Sequence, residues 1–417
     1  MTLNAKRKRA HDKLAAMPGV RSVRRPVTPG NDEHFDLYYV RTGPLSAHPV
    51  VIVPGGPGVA SVQLYKSTRK HAAALGIDVI MIEHRGVGLS RHDDDGADLP
   101  PEAITVSQVV DDIAAVLDDA GVQRAVVYGT SYGTYIAAGV GVRHPDRVHA
   151  MVLDSPVLSA RDIHEVRDAI RGLFLDGRDS ETAVVVPKVR HLIDSGVMSP
   201  TAAHLATVVY GFGGVALLER QLDLLLTGHT LLWRAMAQID KIAMRKVPYR
   251  NEIDLVGRIA FRELDYMGEP DGQPLDPSVP MQQMADQVPG PTPHFEGEPY
   301  DLVAHMPGFD WPTVVISGGR DLTTPPTVAH RVAALIPGAV LVDLPTATHS
   351  ALDTREPAAL QIIKAVTRGD TGRLAGRSAE LDALPGNTSV RLLVSAIAAA
   401  AALERVLPDR GPSGATS

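Results

Sequence analysis

The chain has 417 residues, 44% hydrophobic and 21% charged, and its 41 basic and 48 acidic side chains give a formal charge of −7. This length allows one large catalytic domain with an insertion, and mild acidity argues against nucleic acid or an anionic membrane as a main partner. The absence of cysteine excludes disulfides, thiolate metal sites and a catalytic thiol. The 16 histidines form no H-E-x-x-H motif, so we expect no catalytic metal.

The N-terminal segment, residues 1–19, contains the basic cluster Lys6-Arg7-Lys8-Arg9 and lacks the apolar stretch of a secretory signal. We interpret the cluster as a solvated face of a fraying terminal helix, with targeting or polyanion binding as the alternative. The expected location is cytoplasmic.

The first part of the predicted catalytic domain, residues 20–157, alternates strand and helix patterns. The predicted strands are 20–27, 34–41, 50–54, 78–83, 124–130 and 148–154, and the predicted helices are 59–74, 107–120 and 132–143. The first two strands are expected to form an antiparallel pair. Alternating strands and helices predict a doubly wound, mostly parallel α/β sheet.

A glycine-rich loop, Pro54-Gly55-Gly56-Pro57-Gly58, follows the third predicted strand. Such a loop lets backbone approach a substrate closely, and the alternative is a plain strand-to-helix turn. Two strands later comes Gly129-Thr130-Ser131-Tyr132-Gly133, a G-x-S-x-G motif between a strand and a helix. This is the nucleophile elbow of serine-dependent α/β-hydrolases, although short motifs of this kind also arise by chance. We predict Ser131 as the nucleophile and the amides of Gly56 and Tyr132 as oxyanion-hole donors.

Residues 158–307 interrupt the alternating pattern with helical periodicity, and predict a helical cap inserted between the sixth and seventh strands. The pattern resumes at 308–368 as the second part of the catalytic domain. A strand there ends in Gly318-Gly319-Arg320-Asp321, and the next strand, 339–344, leads to His349. The chain order Ser131, Asp321, His349 is the order expected of a catalytic triad in this fold.

The predicted chemistry follows from these side chains. His349 takes the proton of Ser131 as the hydroxyl attacks a carbonyl, and Asp321 holds the imidazole tautomer and stabilises the imidazolium. An acyl-enzyme forms and water releases it, so no cofactor is required.

Several of these segments resemble proline iminopeptidases, and still more the related actinobacterial tripeptidyl aminopeptidases. The resemblance is carried by 54–58, Arg85-Gly86-Val87-Gly88-Leu89-Ser90, Gly-Thr-Ser-Tyr-Gly-Thr at 129–134, Asp146-Arg147-Val148, Leu153-Asp154-Ser155-Pro156 and 318–321. It implies an exopeptidase that removes residues from free peptide N-termini. Proline iminopeptidases usually have His in place of Pro54 and Asp-Gln in place of Glu83-His84, and secreted tripeptidyl members carry a signal peptide and cysteines. These departures lie outside the predicted triad and concern the specificity for peptides.

A peptide substrate would need a carboxylate for its ammonium group, and Glu263 in the cap is the candidate, with a solvated or salt-bridged helix face as the alternative. Trp233, Met236 and Met244 could line a pocket, but their spacing is more typical of helix core. His84 is predicted to be a structural hydrogen-bonding residue.

The C-terminal extension, residues 369–417, contains an alanine-rich helix at 390–406. We expect it to dock on its own domain, with covering the cap or forming a homo-oligomer as alternatives. The substrate is expected to be a small peptide, and a small ester or lactone cleaved by the same triad is the alternative. A binding protein on this scaffold is disfavoured because all three triad residues are present.

Overall fold

The computed structural model describes residues 4–30, 32–243, 246–266, 268–285, 288 and 290–406. Its centre is an eight-stranded sheet in the order β1-β2-β4-β3-β5-β6-β7-β8. The strands are β1 Val20–Pro26, β2 His34–Thr42, β3 Val50–Val53, β4 Val79–Ile82, β5 Ala125–Thr130, β6 Val148–Asp154, β7 Thr313–Gly318 and β8 Val340–Leu344. β2 pairs antiparallel with β1 and β4, and every pairing from β4 to β8 is parallel. The doubly wound α/β sheet predicted from the sequence is confirmed.

Helices precede, connect and follow these strands. They are α1 Ala5–Ala15, α2 Ser61–Leu64, α3 Lys66–Ala74, α4 Val106–Asp119, α5 Tyr132–Arg143, α6 Asp162–Arg171, α7 Val186–Asp194, α8 Pro200–Leu226, α9 Leu231–Ala243, α10 Ile253–Arg262, α11 Ser278–Ala285, α12 Leu302–His305, α13 Pro326–Leu335, α14 Ala351–Thr354, α15 Glu356–Thr367, α16 Ser378–Asp382 and α17 Thr388–Glu404. A π-helical turn, Gly172–Asp176, extends α6.

The sheet is covered on both faces, which explains why β3, β4 and β5 are buried at every position. One face packs against α4, α5 and α13. The other packs against α3, α15 and α16, and the apolar side of α1 joins this second cluster. Because β3 to β8 run parallel, their carboxyl ends meet at one edge of the sheet, where open α/β sheets place functional groups.

Helices α6 to α12 lie between β6 and β7 in the chain and form the predicted helical insertion. Several of them share a hydrophobic core of their own, which includes Trp233 and Met236. These two residues are therefore core residues of the cap, and Met244 lies outside the described residues.

The C-terminal helix α17 packs on the cap, with Val394, Ile397 and Ala398 against the same core. Its Glu404 accepts hydrogen bonds from the amides of Leu231 and Leu232 at 2.7 and 2.9 Å, and so caps the start of α9. The structure shows α17 covering the helical insertion, which was one of the alternatives, and a homo-oligomer through this helix stays a prediction. Within the described ranges, no helix has the length and apolarity needed to cross a membrane.

The N-terminal basic cluster departs from the sequence interpretation at one residue. Arg7 is 5% exposed and pairs with the fully buried carboxylate of Glu252, with Nη1 2.5 Å from Oε1. Its guanidinium also stacks on the ring of Tyr249. The interpretation of the cluster as wholly solvated was wrong at Arg7, because the guanidinium neutralises a buried charge.

Candidate active site

Ser131 stands between β5 and α5 at φ 51° and ψ −124°, a strained conformation for a residue with a side chain. The glycines on either side make this turn sterically feasible. A Cβ atom at Gly133 would lie 2.1 Å from the carbonyl oxygen of Val53, and one at Gly129 would lie 2.2 Å from the carbonyl oxygen of Gly133. The elbow therefore requires glycine at both positions, as the motif predicts.

Asp321 and His349 follow β7 and β8, and their side chains meet. Nδ1 of His349 is 2.9 Å from Oδ2 of Asp321. The Asp321 carboxylate is 1% exposed, and its other oxygen accepts the amides of Thr323 and Thr324 at 2.9 Å each. The Thr324 hydroxyl donates to Oδ2, also at 2.9 Å. Asp321 is thus fixed by its own loop and aimed at one nitrogen of the imidazole.

The pKa values of Asp321 and His349 are shifted in the directions that suit an ionised carboxylate orienting a general base. Burial favours a higher pKa for Asp321, but the charge of His349 and the hydrogen bonds to the carboxylate outweigh it and lower the pKa. For His349, burial favours a lower pKa, whereas the charge and hydrogen bond of Asp321 raise it above the usual histidine value. The imidazole side chain remains 26% exposed, so its other nitrogen is accessible from the site.

Hydrogen bonds tie the His349 loop to the residues that flank the elbow. Thr130 donates its hydroxyl to Ser350 at 2.8 Å, and the Ser350 amide donates to the hydroxyl of Ser155 at 2.9 Å. The buried carboxylate of Asp154 accepts the amides of residues 351 and 352 at 2.9 Å each. These contacts hold the neighbours of His349 against the neighbours of Ser131. Within the described residues, Ser131 and His349 form no hydrogen bond with each other, and catalytic contacts of this kind often tighten only when a substrate binds.

The glycine-rich loop after β3 reaches the same point. A Cβ atom at Gly55 would lie 3.2 Å from Cβ of Ser131, so this backbone passes directly over the elbow. Gly56 is the next residue of the loop, and Tyr132 is the first residue of α5, directly after Ser131. The assignment of their amides to an oxyanion hole stays a prediction.

Tyr132 is held by a residue outside the predicted triad. His84 Nδ1 lies 2.6 Å from the carbonyl oxygen of Arg85, which can only accept, so this nitrogen carries the proton. Nε2 then accepts from the Tyr132 hydroxyl at 3.0 Å. Burial lowers the pKa of His84 to about 4, which keeps it neutral. His84 therefore has the hydrogen-bonding role that the sequence suggested.

Glu263 is almost buried, and both of its carboxylate oxygens have partners. Oε2 accepts the amide of Val106 at the start of α4 at 2.9 Å, and Oε1 lies 2.6 Å from the Arg262 guanidinium. The charge of Glu263 contributes to the raised pKa of Tyr132, so the carboxylate lies near the elbow. In this structure it caps a helix and forms a salt bridge.

A second acidic group, in the first turn of α6, was missed by the sequence reasoning. Asp162 accepts the amides of Leu158 and Ser159 through Oδ2, while Oδ1 is buried without a hydrogen-bond partner among the described residues. Burial raises the pKa of Asp162 to about 6 and also raises the pKa of Glu298, whose charge interacts with that of Asp162. The hydroxyl of Tyr266, whose pKa the charge of Asp162 helps to raise, is buried and unpartnered too. The only sequence signal was an acidic residue in the first turn of a predicted helix.

Residues 48–191 match the family model described as alpha/beta hydrolase fold. The chain has the α/β-hydrolase fold. Among curated proteins it is 28% identical over 166 residues to a proline iminopeptidase of Xylella fastidiosa, covering 38% of this chain and 49% of that protein. It is 31% identical over 131 residues to a putative carbamate hydrolase of Azorhizobium caulinodans, covering 31% and 43% respectively. The chain thus spans about half the length of these curated relatives or less.

Among solved structures, the chain is similar to a proline iminopeptidase of Mycobacterium smegmatis, with 18% identity and a TM-score of 0.44 over 87% of this chain and 99% of that one. The resemblance to proline iminopeptidases seen in the motifs also appears in the comparison with curated sequences, over 166 and 135 residues.

Proposed function

We propose that this α/β-hydrolase is a serine aminopeptidase that removes an N-terminal residue or a short peptide from peptides. The observation that carries the proposal is the strained elbow at Ser131, together with the 2.9 Å contact between His349 and Asp321 at neighbouring strand ends. In the proposed reaction, Nε2 of His349 takes the hydroxyl proton as Ser131 attacks the carbonyl carbon. The same nitrogen then gives this proton to the leaving amine.

The amides of Gly56 and Tyr132 are the proposed donors to the tetrahedral oxyanion. Loss of one such donor typically raises the barrier by about 3 kcal/mol. Water then attacks the acyl-enzyme, with His349 as its base, and releases the acid. The raised pKa of His349 favours the imidazolium that forms in both half-reactions.

Two carboxylates, those of Asp162 and Glu263, are the reason to propose a substrate with a free amine. Asp162 has one oxygen without a hydrogen-bond partner among the described residues, and burial raises the pKa of its carboxyl to about 6 even though Arg331 and two backbone amides favour the charged form. An ammonium group at this oxygen would lower the pKa and supply the missing hydrogen bond. Glu263 is the second proposed carboxylate, but there an ammonium group has to compete with Arg262. We propose Oδ1 of Asp162 as the acceptor of a peptide amine.

The alternative is an esterase, lactonase or carbamate hydrolase that uses the same triad. It is favoured by the similarity to a putative carbamate hydrolase and by the engagement of both Glu263 oxygens within the protein. An ester needs no ammonium acceptor, so the two proposals differ in their demand for a free amine.

The test is hydrolysis of prolyl- and alanyl-arylamides with a free and with a blocked amine, beside short acyl esters. An aminopeptidase turns over the free-amine arylamides alone, and Ser131→Ala abolishes the activity. Cleavage of short esters that depends on Ser131, without arylamide turnover, would show that the esterase proposal is the right one.

The carboxylates are separated by Asp162→Asn and Glu263→Gln. Loss of a charge-assisted contact to the ammonium is expected to raise KM by about tenfold or more, with a smaller change in kcat. We expect this at Asp162, and at Glu263 a loss of stability because the neutral amide no longer forms the salt bridge with Arg262. An unchanged KM in Asp162→Asn would remove Asp162 as the amine acceptor.

A further inference from the structure

A cleft of about 320 Å³ lies beside the candidate active site, between α8 of the cap, the loops that carry Asp321 and His349, and α17. This volume is at the lower end of the range of small-molecule pockets, about 300–1,000 Å³. The cleft is not required by the proposed reaction, whose groups converge on Ser131.

Three arginines line the cleft, namely Arg320, Arg355 and Arg391, and no acidic side chain lines it within the described chain. Arg355 is neutralised, because its Nη1 lies 3.0 Å from Oδ1 of Asp382 and its Nη2 donates to the Thr346 hydroxyl at 2.9 Å. Among the residues that the structure describes, the guanidinium groups of Arg320 and Arg391 have no ion pair and no hydrogen bond. The cleft therefore holds two uncompensated positive charges in a chain whose formal charge is −7.

The guanidinium of Arg320 packs against helix α8 of the cap. Helix α8 is interrupted at Gly214, which has φ 67° and ψ −169°, a conformation that is essentially restricted to glycine. A Cβ atom at Gly214 would lie 2.9 Å from Cζ of Arg320 and 3.1 Å from each terminal nitrogen. The guanidinium is thus packed against bare backbone, half-buried, with its donors left for another partner.

The wall of the cleft is continuous with the catalytic loops. Arg320 directly precedes Asp321, and Thr348, another lining residue, directly precedes His349. Arg391 reaches the cleft from α17 on the opposite side. The charges therefore come from separate elements and converge on one space, as expected of a binding site and not of a single solvated helix face.

We propose that this cleft binds the carboxylate or phosphate group of a small ligand. A guanidinium presents a planar fork of donors that matches either group, and these charge-assisted bonds are among the strongest available to a protein. The hydroxyl of Thr348, which donates to no described residue, suits a remaining oxygen. Two sources supply this chemistry: a separate small anion, or the C-terminal carboxylate of a short peptide substrate whose scissile bond lies at Ser131.

The first measurement is calorimetric titration of the intact protein with inorganic phosphate, which requires no enzymatic activity. The variants are Arg391→Gln and Arg320→Gln, and the matched control is Arg373→Gln, an exposed arginine outside the cleft. We expect saturable binding to the wild type and the control, weakened about tenfold or more in the two cleft variants. Arg391 is exposed and unpaired, so its replacement is not expected to affect folding.

The second measurement compares KM for alanyl tripeptides with a free and an amidated C-terminus, and this measurement alone rests on the proposed aminopeptidase function. A lower KM for the free acid, lost in Arg391→Gln, identifies the substrate carboxylate as the ligand. Phosphate binding that depends on the arginines, without such a preference, identifies a separate anion. Equal phosphate affinity in wild type and cleft variants, or no binding together with no free-acid preference, would show the proposal to be wrong.

Discussion

The most direct test of the candidate triad is Asp321→Asn, which changes one atom that faces the base. Asp321 accepts two amides through Oδ1, and through Oδ2 it contacts the Thr324 hydroxyl and His349 Nδ1. In the asparagine variant, the two amides hold the carbonyl oxygen in place of Oδ1, so the NH2 group takes the place of Oδ2. It then donates to Nδ1, which must give up its proton to Nε2.

A proton on Nε2 prevents general-base catalysis by His349, because this nitrogen has to accept the proton of Ser131. The charge that stabilises the imidazolium is lost as well. The same substitution in a related triad geometry lowers kcat by about 10⁴, which corresponds to a barrier increase of about 5 kcal/mol. The two amide contacts of the Asp321 loop are kept and the Thr324 hydroxyl can accept from the NH2 group in place of donating to Oδ2, so the melting temperature should change little.

The assay is kcat on the best free-amine arylamide or acyl ester, measured beside calorimetric unfolding. Asp353→Asn is the matched control, because its carboxylate accepts from Tyr65 and Ser350 but makes no hydrogen bond to His349. Its kcat should stay within about tenfold of the wild type, as expected for a side chain that acts on the reaction only at a distance. If Asp321→Asn also stayed within tenfold, Asp321 would not orient the base, and the triad assignment would fail.

Further predictions concern the base, the N-terminal anchor and the elbow. Because His349 must be neutral to act, kcat/KM should fall as pH decreases through its raised pKa, and a pH–rate profile without an acid limb above pH 6.5 would contradict this. Arg7→Met removes the closest cation of the buried Glu252 carboxylate and leaves it with Arg91 at 3.9 Å and the Gly88 amide, so it should lower the free energy of unfolding by about 3 kcal/mol, measured by denaturant titration. Lys8→Met at an exposed pair should change it by less than about 1 kcal/mol. Gly133→Ala places a methyl group 2.1 Å from a carbonyl oxygen, so it should abolish activity and lower the melting temperature, and a variant that keeps full activity would refute the close packing of the elbow.

The sheet was predictable because its local signals agree with one another. Apolar runs of four to seven residues, glycine-rich turns and amphipathic helices alternate from β3 to β6, and each predicted strand lies within a residue or two of its observed bounds. The elbow was predictable because its glycines are required by contacts that follow from the turn itself.

The surroundings of the site were less predictable, because they depend on contacts between distant parts of the chain. Arg7 is one of four consecutive basic residues, and only the tertiary fold shows that it meets Glu252. Glu263 was singled out for its carboxylate, but its partner at residue 106 is set by the way α10 crosses the start of α4. Asp162 carried no motif signal that separates it from ordinary surface charges, and Arg320, although part of the Gly-Gly-Arg-Asp motif, was given no role by the sequence.

The interruption of α8 links the cap to the catalytic loops in a way that bears on substrate selection. Gly214 removes one side chain from the cap, and the space is filled by the guanidinium of Arg320, the residue before Asp321. A shift of α8 would displace the guanidinium of Arg320, the side chain next to the residue that contacts His349. The buried acceptor at Asp162 and the arginine cleft carry opposite charges, and both include elements of the insertion. Under the proposed assignments, the insertion contributes selection of the ligand by charge, while the predicted triad on the sheet suits a peptide and an ester carbonyl equally.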